Sequence, residues 1–152
     1  MIDLLDTDTA ILMMRGLSIT APRTERQRQR QAVGKRILEA CRRHAARGDV
    51  IGLSAITIAE LEFGACGAVD PEAERARMQR VLAPFARFEF GPDEPARRYG
   101  EVRSTLESAG QSVGPNDLLI AAHALALSAV LVTNNVQEFK RVKGLKCENW
   151  AV

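Results

Sequence analysis

No apolar run in these 152 residues approaches the roughly 20 needed to span a bilayer, so no membrane helix is expected. Cysteine is scarce. Cys41, Cys66 and Cys147 are odd in number, far apart and form no CxxC pair, which implies free thiols in a reducing, cytoplasmic setting. The first residues are acidic and carry no basic n-region, so no signal peptide is expected. Histidine is limited to His44 and His123, and neither has a partner at metal-ligand spacing in the sequence. No Ser-His-Asp, GxGxxG or GxxxxGK[ST] pattern is present, nor any internal repeat or low-complexity linker. The net charge of +2 is uninformative by itself. Its distribution is not: Arg23 to Arg47 holds nine Arg or Lys against Glu25 and Glu39.

What is present is an alternation of short apolar runs and helical patterns in a chain long enough for one domain, 1–152, with a full core. Ile2-Asp3-Leu4-Leu5 reads as a strand ending at Asp6, with a helix from about Thr7–Thr9. Gly16 to Thr24 reads as a loop. Glu25 to Arg47 is a long helix with Val33, Ile37, Leu38 and Cys41 as its stripe. Val50 to Leu53 is a second strand, and Ser54 can cap a helix with Ile56, Ala59 and Phe63 on one side. Pro71–Leu82 and Glu94–Ala109 are helical, and Arg87–Phe90 alternates like an edge strand. Gly114-Pro115 opens an apolar helix, followed by a strand over Ala129–Val132 and another near Leu145–Glu148. This order predicts an α/β fold with a parallel sheet covered by helices on both faces. Ligands then bind beyond the carboxyl ends of the strands.

Four weak positions gather at that edge. Asp6 follows the first strand, although an acid there can equally be a helix cap. Glu60 sits at the boundary of a buried helical face. Asn116 can cap its helix, and Asp117 in the first turn is favoured by the helix dipole. The helix behind it, Leu118 to Leu127, is apolar nearly all round and therefore buried. Thr133, Asn134, Asn135 and Glu138 follow the next strand, where Thr and Asn are also ordinary turn residues. Several carboxylates at one edge repel one another unless a cation is shared. All-oxygen ligands suit Mg²⁺ or Mn²⁺ rather than zinc. His123 is expected to be a hydrogen-bonded core residue.

The segments LLDTDTAIL, LSAITIAELEFGA and VGPNDLLIAAHALALSAVLVTNNVQEF, in this order, resemble the PIN-domain ribonucleases, most closely the VapC toxins of toxin–antitoxin pairs. The ending RVKGLKCENW resembles the end of the same family. The resemblance implies a three-layer α/β/α sandwich around a short-stranded parallel sheet. It implies a Mg²⁺-dependent endoribonuclease, with Mn²⁺ as a substitute, acting on structured RNA such as tRNA or rRNA. It places the catalytic acids at Asp6, Glu60 and Asp117, with Asp6 and Asp117 as metal ligands. It also implies a cognate VapB-type antitoxin and a homodimer. Many relatives carry an Asp where this chain has Asn135, so either Asn135 or Glu138 fills the fourth place. Asp8 and Thr133 are expected in support.

The basic segment offers Arg26, Arg28 and Arg30 as RNA contacts, against a plain reading as a solvated helix face. Two rivals remain. A non-catalytic RNA- or protein-binding PIN module is favoured by the missing fourth Asp. A haloacid-dehalogenase-type phosphatase is suggested by Asp6-Thr7-Asp8-Thr9, which fits a DxDxT motif. That fold expects a later Lys and acidic pair, and no Asp follows Asn134.

Overall fold

Leu4 and Leu5 are both fully buried, yet they belong to two different apolar clusters. Adjacent strand residues point to opposite faces, so the strand they occupy is covered on both sides. In the computed structural model, which describes residues 1–152, this strand is the centre of the sheet. The elements run β1 Ile2–Leu5, α1 Thr7–Gly16, α2 Glu25–Ala46, β2 Val50–Ser54, α3 Ala55–Cys66 and α4 Pro71–Leu82. They continue as β3 Ala86–Phe88, α5 Glu94–Ser108, α6 Pro115–Ala126, β4 Val130–Val132, α7 Val136–Phe139 and β5 Lys146–Glu148.

All five strands are parallel, in the order β3-β2-β1-β4-β5. Leu5 pairs with Leu53 on one side and Val132 on the other. The chain moves outward from β1 to β3, then crosses back to β4 and β5. The strand order therefore reverses between β1 and β4, and the crevice beyond their carboxyl ends is where such sheets bind ligands. One face carries Leu5, Leu53 and Val132 against α1, α2 and α4, through Met13, Ile37, Met78 and Leu82. The other carries Leu4 and Leu131 against α5, α6 and Phe139 of α7. This is the expected three-layer sandwich.

Local chemistry sets most boundaries. Thr24 and Gln27 form a reciprocal capping box at the start of α2. Gly48, just past its end, has φ of 90°, a left-handed turn that glycine takes without strain. Asp70 caps α4, and Pro71 fills its first position. Helices α1 and α2 cross where glycine meets glycine. A Cβ on Gly34 would sit 2.1 Å from the Leu12 carbonyl oxygen and 2.5 Å from the Gly16 nitrogen. Both edge strands are only three residues long.

Two expectations change, and one short element was not foreseen. The inward face of α3 is Thr57, Leu61 and Ala65, while Phe63 is 83% exposed. Ser54 at the sheet edge fixes the rotation of this helix, and residue 63 falls on its outer side. Asn116 does not cap α6: the helix starts at Pro115 after Gly114, with no side-chain cap. The short helix α7 lacked a readable period in the sequence, since it spans four residues. No helix is long and apolar enough to cross a membrane.

Candidate active site

Asp6 stands at the switch point. Its backbone N–H donates to the Val132 carbonyl at 3.0 Å, which fixes it against the neighbouring strand. Its Oδ1 accepts from the Thr9 N–H at 2.8 Å, so the capping role foreseen for this acid is real. It is also only 4% exposed. Burial raises its pKa, hydrogen bonds from Thr133 and Thr9 oppose the rise, and Asp8 adds to it.

Asp117 lies in the first turn of α6, half-buried. Its pKa is pushed up to about 6, by burial first and then by Glu138, Asp6, Glu60 and Asp8. Those four acids come from three separate segments of the chain, and the charge of each is felt at the same carboxyl group. Glu60 is held by both oxygens: Oε1 accepts from the Thr7 hydroxyl at 2.6 Å and Oε2 from the Asn116 amide at 3.2 Å. Glu138 is held likewise, by the Gly114 N–H at 2.9 Å and by the Asn135 amide. Gly114 lies between two acids. A Cβ there would be 3.6 Å from Asp117 Oδ2 and 3.9 Å from Glu138 Oε1.

The structure thus brings Asp6, Glu60, Asp117 and Glu138 to one edge. Asn135 and Glu138, left as alternatives by the sequence, are both there, and Asn135 donates to Glu138. Thr133 is fully buried and accepts from the Asn135 N–H at 2.9 Å. Asp8 is exposed and acts on Asp6 and Asp117 only through its charge. None of the four carboxylates makes an ion pair with a basic residue. Carboxylates gathered without a cationic partner are the donor type that suits a hard divalent cation such as Mg²⁺ or Mn²⁺. No three of these four, however, bring their oxygens within 4.8 Å of one another as the donors of Asp3, His44 and Asp49 do.

Sequence reasoning missed Thr7 and Asn116. The signal was present, since each is the chain neighbour of one of the expected acids, Asp6 and Asp117. It also missed the partners of His44. Its Nδ1 lies 2.9 Å from Asp3 Oδ2 and 3.5 Å from Asp49 Oδ2, and its ring packs 4.3 Å from that of Trp150. These three donors lie within 4.8 Å of one another, a spacing that a cation could bridge. Asp3 sits on β1, far from His44 in the chain, so local spacing could not reveal it. Arg47 already balances Asp49 at 3.2 Å, and the cluster reads as a structural tie between β1, α2 and the start of β2. His123 is a core residue as expected, fully buried with Nδ1 2.8 Å from the Ser54 hydroxyl.

The three arginines proposed from the sequence do not share one face. Arg28 pairs with Glu25 at 3.0 Å. Arg26 and Arg30, four residues apart, instead act on Arg15 of α1.

The PIN domain family model matches residues 20–145. The chain belongs to the PIN-domain family. Ribonuclease VapC2 of Rickettsia felis is 40% identical over 105 residues, 69% of this chain and 78% of that protein. A tRNA(fMet)-specific endonuclease VapC of Salmonella typhimurium is 35% identical over 98 residues, 64% of this chain and 74% of that protein. The crystal structure of VapBC2 from Rickettsia felis, bound to a DNA fragment from its promoter, superposes with a TM-score of 0.82 at 31% identity. That match covers 99% of both chains. The PIN domain is therefore of the VapC kind, and the phosphatase reading of Asp6-Thr7-Asp8-Thr9 falls away.

Proposed function

We propose that this PIN domain is a metal-dependent endoribonuclease toxin that cleaves RNA and is neutralised by a cognate VapB-type antitoxin. The observation that carries the reading is the convergence of four carboxylates from separate elements at the switch point, with no basic side chain among them. Asp6 and Asp117 would hold Mg²⁺, or Mn²⁺, with Glu60 and Glu138 completing the acid set. When bound, the cation supplies neutralisation of phosphodiester charge and lowers the pKa of attacking water. The chain's own groups do the rest. Thr7 and Asn116 fix the plane of the Glu60 carboxylate, and Gly114 and Asn135 fix that of Glu138. Fixed acceptors of this kind orient a water for in-line attack without reorganising during the reaction.

The names of the relatives support RNA as substrate, and the Salmonella protein supports a structured one such as tRNA. The VapBC complex supports the antitoxin. Membership of this branch further suggests a homodimer in the cytoplasm, which sedimentation of the purified protein tests.

The reading is tested by incubating the protein with a tRNA and rRNA pool in Mg²⁺. Endonucleolytic fragments are expected, lost on addition of EDTA and restored by Mn²⁺, while Asp6→Asn abolishes them. If the folded wild-type protein leaves RNA intact in either metal, the non-catalytic module is the correct reading. The raised pKa of Asp117 adds a pH dependence. Below about 6 a proton occupies the carboxyl group that the cation needs, and above it the group is ionised. The Mg²⁺ concentration for half-maximal cleavage is therefore expected to rise about fourfold from pH 7.5 to pH 5.5. A flat metal requirement across that range would count against Asp117 as a ligand.

A further inference from the structure

We propose that the depression between the end of α1 and the first turns of α2 is a binding subsite for a backbone phosphate of the RNA substrate, continuous with the acid site. The proposal rests on the ribonuclease reading above and adds where the substrate is held.

The depression has a volume of about 170 Å³, and its polar lining is Arg15, Ser18, Thr20, Gln27, Arg30 and Gln31. It offers guanidinium, hydroxyl and amide groups and not one carboxylate. The amide groups are already oriented. Gln27 Oε1 accepts the Arg23 and Thr24 N–H groups at 2.7 and 3.3 Å, so its NH₂ group is left as a donor. Gln31 is fixed by donating to the Ser18 carbonyl at 3.3 Å.

The arginines here are among those that the fold leaves without a carboxylate partner. Arg28, Arg75, Arg97, Arg98 and Arg103 are each paired with a carboxylate. Arg15, Arg26 and Arg30 make no ion pair at all. Partial desolvation, then the charges of Arg30, Arg26 and Arg77, hold the Arg15 guanidinium below its ordinary range. Cations brought together without a counter-charge repel, and an anion between them relieves the repulsion. Forked guanidinium groups are suited to phosphate oxygens.

Position selects the ligand. Arg15 also lines the neighbouring depression of about 330 Å³, whose wall includes Glu60 of the acid site. One side chain thus joins the basic depression to the edge where a phosphodiester is cut. A polyanion bound at the acids can run along α1 and place another phosphate between Arg15 and Arg30. An acidic peptide could meet the same charges, but it would not need the continuity with Glu60.

The test uses the intact protein and a fluorescently labelled tRNA pool. Binding is measured in EDTA, where RNA stays whole, over a series of salt concentrations. The Arg15→Gln/Arg30→Gln double variant is expected to raise Kd about tenfold, with the slope of log Kd against log salt reduced by about 1.5 to 2. In Mg²⁺ it raises KM similarly and leaves kcat within about twofold. Arg30→Gln alone gives about half of the slope change should the double variant fold poorly. Arg28→Gln, paired on another face, changes neither. An unchanged slope in a wild-type protein that cleaves RNA overturns the subsite and leaves the ribonuclease reading standing. Normal RNA binding with lost antitoxin affinity also overturns it and assigns the depression to an acidic protein segment. A wild-type protein that neither binds nor cleaves RNA removes both.

Discussion

Asp117→Asn is expected to lower RNA cleavage by about a thousandfold, while making the metal-free protein more stable. The loss in rate follows from removing a metal ligand, since charge neutralisation at the phosphate is worth several kcal/mol and about 4 kcal/mol is a factor of a thousand. The gain in stability follows first from the burial of a charged group and then from the other acids. Asp117 has a pKa of about 6 in the fold against an ordinary value of 3.8. The folded state therefore binds its proton more tightly than the unfolded state. Above pH 6 both states are ionised, and the fold carries the full unfavourable interaction. As pH falls through 6 the folded form takes up the proton and stability is regained. Asn carries no charge to repel. At pH 7 in EDTA the variant should be more stable by about 1–2 kcal/mol, after discounting for the partial exposure of Asp117. That advantage should shrink as pH falls towards 5. Thermal unfolding of both proteins at the two pH values checks this. A variant that is less stable than wild type at pH 7 would show that the acids are not crowded in solution.

Gly34→Ala should be the most damaging single methyl group in the chain. Its Cβ would meet the Leu12 carbonyl at 2.1 Å and the Gly16 nitrogen at 2.5 Å, and backbone cannot swing aside as a side chain can. Helices α1 and α2 must separate. Overpacking of this kind costs about 3 kcal/mol, a melting temperature lower by roughly 6–12 °C in a domain of this size. Activity should fall as well, because α1 carries Thr7 beside the Asp6 cap and sets the approach of Arg15 to Arg30. Gly100→Ala in α5 is the control. No atom lies within 4 Å of its added methyl, so this variant should gain about 0.5–1 kcal/mol from helix propensity alone. Equal melting temperatures for the two variants would refute the argument.

The site was legible where chemistry is local. An acid after an apolar strand and an acid opening an apolar helix are patterns of adjacent residues, and Asp6 and Asp117 show them. Pro71 after Asp70 marks a helix start for the same reason, as the observed range Pro71–Leu82 bears out. What could not be read depends on residues remote in the chain. That Glu138 and Asn135 both reach the edge, hydrogen-bonded to each other, could not be read because the orientation of a four-residue helix sets it. Asp3 lies in β1, and its partner His44 comes from the far end of α2. The rotation of α3 was misjudged because Phe63 is large and apolar, whereas the contacts around Thr57 and Leu61 are tertiary. Gly16 read only as the start of a loop, and Gly34 carried no signal; the helix crossing shows that each makes room for the other.

The brevity of β3 and β5 bears on how this protein meets other chains. A partner adding a strand at either edge would find three residues of open backbone, bordered by exposed Arg87 on one side and by exposed Lys146 and Glu148 on the other. So short and charged an edge gives little purchase for main-chain pairing. Recognition by another protein, whether a second copy or an inhibitor, is left to the helical surfaces. The same geometry protects the sheet from edge-to-edge aggregation when the chain is abundant.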